Sequence, residues 1–137
     1  MKAQTHGVLV AQQITEGTTV SGSPVLAKVI SVDHRAPYSN VSQYVTVAAP
    51  GGALPSSPYG IYSTLPGSTY GYKSGTSMAT PHVAGVAALA LGRCPALTPA
   101  QVADAITSTA EELGQAGWDP AFGAGMVQAD AAVAAAC

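Results

Sequence analysis

The sequence predicts an α/β domain whose parallel sheet is incomplete, and three observations predict it. The N-terminal half carries short, continuous apolar runs of the kind that are covered on both faces of a sheet. From Ser77 onward the apolar residues recur instead at helical spacing. Strand-like segments followed by helical ones suggest the layered α/β class, but the strands are few, so exposed sheet edges are expected.

The strands are expected between about residues 7 and 72. Gly7-Val8-Leu9-Val10-Ala11 is the first apolar run and residues 25–32 the second, separated by the turn-rich residues 16–24. Tyr44-Val45-Thr46-Val47-Ala48-Ala49 alternates until Pro50-Gly51-Gly52 stops it. Ile61 to Leu65 and Ser68 to Tyr72, joined through Pro66-Gly67, read as a hairpin.

Three helices follow. Over about residues 77–91, Met78, Val83, Val86, Ala87, Leu89 and Leu91 leave no polar face beyond His82, which predicts a helix buried all round with Ser77 at its exposed start. Pro81 lies in its first turn, where a missing N–H is tolerated, and Gly92 with Pro95 marks its end. The second helix is expected over about residues 99–113, because Thr98, Pro99 and Gln101 form a capping-box start. Its apolar side is Val102, Ala105, Ile106, Ala110 and Leu113, while Asp104, Ser108, Glu111 and Glu112 face water. An alanine-rich closing helix is expected over about residues 128–136, after the Gly123-Ala124-Gly125 turn.

The 137 residues, 47% hydrophobic and only 9% charged, can build one core and do not describe a disordered chain. A net charge of −2, with five basic residues scattered singly, provides neither a stripe for nucleic acid nor a block for anionic lipid. No apolar run approaches the roughly 20 residues a bilayer crossing needs, and no export signal is read at the N-terminus. Cys94 and Cys137 fit either two unpaired thiols or one bridge; a bridge would imply an oxidising compartment. No His, Cys, Asp or Glu cluster has metal-ligand spacing, so no metal or cofactor is expected.

Ser77 is the candidate nucleophile. A serine hydroxyl reacts only when it is held exposed, given a base and faced with donors for the oxyanion that forms. Gly75 allows a tight turn ahead of Ser77, and the helix starting there aims free N–H groups and the positive end of its dipole at the same place. The competing reading makes Ser77 a helix N-cap and nothing more.

The eleven positions Gly75-Thr76-Ser77-Met78-Ala79-Thr80-Pro81-His82-Val83-Ala84-Gly85 decide between these readings. They resemble the serine motif of the subtilisin-like serine proteases, the subtilases, G-T-S-M-A-x-P-H-V-A-G. Further segments are similar to that family in order: residues 29–33, 38–40, 45–52 and 63–67 before the serine, then residues 97–102 and 123–127 behind it. The resemblance implies that residues 1–137 form the C-terminal part of a subtilisin-like peptidase domain with a three-layer fold. It implies Ser77 as nucleophile, its own N–H as an oxyanion donor, His82 as a structural residue, peptide or protein substrates, and secretion.

The other triad members should precede the serine, in the order Asp, His, Ser. His6 stands in a sequence that echoes the family's His motif, but the motif's Thr and second His are absent, and His6 lies only 71 positions before Ser77. Gly7 to Val10 aligns better with the strand that ends at the family's oxyanion Asn; there the stretch from Ala11 to Thr15 is one residue short and carries Thr15 in place of the Asn. His34, beside Asp33, reads as a solvated loop residue, and Asp33, Asp104, Asp119 and Asp130 as turn, helix-surface and capping residues. The chain alone is therefore expected to be inactive, as the product of a truncation, a shifted reading frame or incomplete gene modelling. The alternatives are a non-catalytic peptide-binding or scaffold protein, and one half of a split protease whose partner carries Asp and His.

Overall fold

A computed structural model describes residues 9–12, 35–53 and 60–137. The expected strand over residues 25–32, and His6, Thr15, Asp33 and His34, lie outside the described residues. Within them, four strands precede three helices: β1 (Leu9–Gln12), β2 (Val45–Ala49), β3 (Ile61–Leu65), β4 (Thr69–Lys73), α1 (Thr76–Arg93), α2 (Pro99–Ser108) and α3 (Ala129–Ala135).

The order of strands before helices is as the sequence predicts, whereas the strand pairing differs from the expected parallel sheet. β1 and β2 pair antiparallel, with Leu9 opposite Ala49 and Ala11 opposite Val47, and β3 and β4 form a separate antiparallel hairpin. Parallel pairing among the described residues is confined to a bridge between Ala48 and Met126. Continuous apolar runs report that both faces of a strand are covered, which favours a parallel neighbour without fixing its direction.

β2 is the axis of the core. On one side Val47 and Ala49 join Ala79 and Val86 of α1, Val102 and Ile106 of α2, and Val127 and Ala132. On the other, Val45 and Ala48 join Leu113, Phe122 and Met126. Small residues at β2, α1 and α3 let these layers come close.

α1 departs from the expected all-round burial. Ala79, Val86 and Ala90 are buried on one stripe, whereas Ser77, Pro81, Ala84, Gly85 and Ala88 are exposed and Leu89 keeps 57% of its surface accessible. Residues three, four and seven apart share a helix face, and no described element lies on the side that carries 77, 81, 84 and 88.

α2 is shorter than the expected 99–113. Its start has the full capping box: Gln101 N donates to Thr98 Oγ1 at 3.3 Å and Thr98 N donates to Gln101 Oε1 at 2.8 Å. In its last turn three consecutive hydroxyls, those of Thr107, Ser108 and Thr109, donate back to the carbonyls of Ala103, Asp104 and Ala105. Such side chains compete with the helical ladder. The chain then leaves the helix so that Glu111 exchanges backbone bonds with Met126, at 2.8 and 2.7 Å, and Leu113 reaches the core from an irregular segment. α3 falls within one residue of its expected span.

Beyond α2, Asp119 is buried; its Oδ1 accepts from Ala121 N at 2.6 Å and Phe122 N at 3.0 Å, closing the turn that returns the chain to β2. Trp118 Nε1 donates to Val45 O at 2.7 Å beside it.

Cys94 and Cys137 are joined by a disulfide with Cα atoms 6.1 Å apart, tying the end of α1 to the end of the chain across 43 positions. Of the two open readings of these cysteines, the structure takes the bridge. Cys137→Ser is expected to lower stability by about 2–4 kcal/mol, with about 4 kcal/mol the chain-entropy figure for a loop of this length. Urea unfolding of the oxidised chain and the variant checks this, and coincident curves would refute it.

Candidate active site

The site is assembled where the β3–β4 hairpin runs into α1. β4 ends at Lys73, Ser74 follows, and Gly75 is the N-cap of α1. Gly75 N donates to Gly51 O at 2.8 Å, and Gly75 O accepts from Met78 N at 3.0 Å. The segment beneath must be glycine: a Cβ on Gly51 would sit 2.9 Å from Gly75 O and 3.3 Å from Ala79 Cβ, closer than packed atoms allow. Pro50-Gly51-Gly52, which the sequence marks only as the stop of a strand, is thus the floor under the serine turn.

Ser77 stands one position into α1, exposed. It is not the N-cap; Gly75 is, and no side chain caps the helix. Among the described residues neither the Ser77 hydroxyl nor its backbone N–H has a hydrogen-bond partner. Both groups lie at a helix start, where unpaired N–H groups and the dipole favour negative charge.

His82 is engaged on its own helix. Its Nδ1 lies 2.9 Å from Met78 O; a carbonyl can only accept, so this nitrogen carries the proton. The ring is thereby held along its own helix. Of the described aspartates, Asp119 closes its turn, Asp130 Oδ1 accepts from Ala131 N, and Asp104 is exposed on α2; Glu111 accepts from Gln128, and Glu112 from Leu113 N and Gly117 N. No Asp, Glu or His is hydrogen-bonded to Ser77 among the described residues. The same residues contain no group of three or more His, Cys, Asp or Glu able to hold a metal ion. No described helix is long and apolar enough to cross a membrane.

What this arrangement offers is an exposed hydroxyl at a glycine-supported helix start, with donors beside it and no base among the described residues. The comparison with known proteins gives that geometry its family. The family model for the subtilase family matches residues 1–125. The chain belongs to the subtilases.

Among individual relatives it is 41% identical to Subtilisin NAT of Bacillus subtilis subsp. natto over 143 aligned positions, covering 96% of this chain and 35% of the relative. It is 41% identical to the subtilisin of Bacillus pumilus, covering 96% of this chain and 48% of that protein. The chain thus spans less than half the length of these relatives. Among solved structures, a protease of Pseudoalteromonas arctica superposes with a TM-score of 0.67 at 43% identity, covering 75% of this chain and 32% of that one. Fervidolysin of Fervidobacterium pennivorans, a keratinolytic enzyme related to subtilisin, superposes with a TM-score of 0.62 at 32% identity, covering 91% of this chain and 18% of that one. The fold is an incomplete α/β fold of the subtilisin type.

Proposed function

We propose that the chain is the nucleophile-bearing, C-terminal part of a secreted subtilisin-like serine endopeptidase domain, with Ser77 as the nucleophile. The observation that carries this is the state of Ser77: an exposed, unpartnered hydroxyl at the first turn of α1, above a floor that admits only glycine at position 51. In the reaction, Ser77 Oγ bonds to the scissile carbonyl carbon while its proton passes to a histidine base, and the Ser77 N–H donates to the oxyanion. Collapse transfers the proton to the leaving amine and leaves an acyl-enzyme, which water hydrolyses. His and Asp come from a segment other than the described residues.

The bare stripe of α1 favours this reading over a free-standing peptide-binding or scaffold protein. Ala84, Gly85, Ala88 and Leu89 give a second segment a smooth apolar surface of small side chains, suited to close packing. The Cys94–Cys137 bridge supports an oxidising, extracellular setting.

The test joins the chain to a subtilase segment carrying the D-T/S-G and H-G-T-H motifs and rebuilds residues 11–15 with one added residue and Asn in place of Thr15. Peptide hydrolysis that disappears in Ser77→Ala supports the proposal. Hydrolysis that survives Ser77→Ala refutes Ser77 as the nucleophile, and a well-folded joined domain with no hydrolysis refutes the endopeptidase reading.

A further inference from the structure

The serine turn rests on a floor, and the floor is itself held from below. Residues 50–53 are buried, yet Gly52 has φ 77° and the Gly51-Gly52 pair, between Pro50 and Ala53, has no side chain of its own to fix it. The hydroxyl of Tyr38 donates to Gly52 O at 2.6 Å. Gly51 O lies 3.5 Å from the same hydroxyl, too far to compete, and is left to accept Gly75 N at 2.8 Å. Tyr38 is presented by a closed turn, in which Ser39 N donates to Ala36 O at 3.0 Å and the Arg35 guanidinium donates to Ser39 O. Its ring remains 42% exposed, so packing holds it only in part and its polar tip gives it direction.

We infer that Tyr38 is a positioning residue for the nucleophile. Its hydroxyl fixes the Gly51–Gly52 peptide, whose Gly51 carbonyl fixes Gly75, and Gly75 caps the helix that presents Ser77. The order is set by chemistry. A tyrosine hydroxyl has one proton to donate and gives it to Gly52, so the neighbouring carbonyl stays available to the Gly75 N–H. Without that donor the two-glycine segment keeps its acceptors but loses the group that orients them, and glycine has the widest backbone freedom of any residue. The Ser77 hydroxyl is two residues from Gly75, so movement of the floor becomes movement of the attacking atom. This inference rests on the reading of Ser77 as nucleophile for its catalytic consequence, but the mechanical link stands on the hydrogen bonds alone.

Two measurements on Tyr38→Phe separate the link from the consequence. The substitution keeps the half-exposed ring and removes only the hydroxyl. In the full chain, amide hydrogen exchange of Gly75 is expected to speed up about five- to tenfold, the loss of one hydrogen bond read through local opening, while that of Val102 on α2 stays unchanged. Unchanged exchange at Gly75, or equal acceleration at Gly75 and Val102, overturns the link. In the joined domain described above, kcat is expected to fall about three- to tenfold with KM within twofold, because a displaced nucleophile slows the chemical step without weakening binding. A fall in kcat supports positioning; an unchanged kcat, or a change confined to KM, overturns it. If the joined domain with Tyr38 intact shows no turnover, the nucleophile reading fails, and exchange at Gly75 still decides whether Tyr38 holds the serine turn.

Discussion

Purified on its own, the chain is expected to hydrolyse peptides no faster than its Ser77→Ala variant. The serine of the described site has no acceptor for its proton: His82 is held against Met78 O, and each described aspartate is engaged in its own turn or exposed on a helix. At neutral pH an unassisted hydroxyl is almost wholly protonated and is a weak nucleophile. In subtilisin, a relative of this chain, loss of the catalytic histidine costs about a million-fold in turnover. Thr15, which the sequence alignment expects in place of the family's oxyanion Asn, would add a further loss of about 100- to 1,000-fold, the usual cost of one such donor. Together these place any remaining rate below detection by peptide-release assays, so the measurement is a comparison of the two purified proteins at high concentration. Turnover above the Ala control, without a partner, would mean that a histidine within these 137 residues reaches Ser77 and that the absence of a base is a misreading.

The features legible in the sequence are those with a local cause. The capping box at Thr98, the hairpin around Pro66-Gly67 and the start of α1 are each set by a few adjacent residues, and each forms where expected. Ser77 stands out in the sequence for a different reason: eleven successive residues around it match one family motif. Non-local features were harder to read. The burial of α1 was overestimated because periodicity reports what a helix can pack against, while exposure depends on which elements are there to cover it. The sequence overextends α2 because Ala110 and Leu113 keep the helical spacing after the backbone has left the helix to pair Glu111 with Met126. The floor of the site was invisible for a related reason. Pro50-Gly51-Gly52 signals the end of a strand, and nothing in that triplet says that another turn, more than twenty residues later, will lie on it.

Gly125→Ala is expected to destabilise the chain strongly, by about 2–6 kcal/mol. Two costs combine. At φ 109° the residue occupies a region that side chains rarely adopt, which costs on the order of 1–3 kcal/mol. The new Cβ would also lie 2.7 Å from the carbonyl carbon of Glu111 and closer still to its oxygen. Those atoms are backbone and cannot turn aside as a flexible side chain would, and overpacking of this kind costs roughly 1–3 kcal/mol. Relief by movement is blocked on both sides. Gly125 O accepts Ala48 N at 2.7 Å, and the Glu111–Met126 pair next to it holds the segment after α2. Any shift therefore opens the contact between β2 and the closing segment, where Val45, Ala48, Leu113, Phe122 and Met126 meet. For a domain of this size the loss corresponds to a fall in Tm of roughly 10–20 °C. Gly117→Ala supplies the control, since Gly117 has a comparable φ of 86° but nothing within 4 Å of the added methyl. It is expected to lose only the backbone term, about 1–2 kcal/mol. Thermal unfolding followed by circular dichroism should rank the proteins as unmodified chain, Gly117→Ala, then Gly125→Ala. Equal midpoints for the two variants would show that backbone conformation alone sets the cost and that the close approach of residues 125 and 111 has no energetic weight.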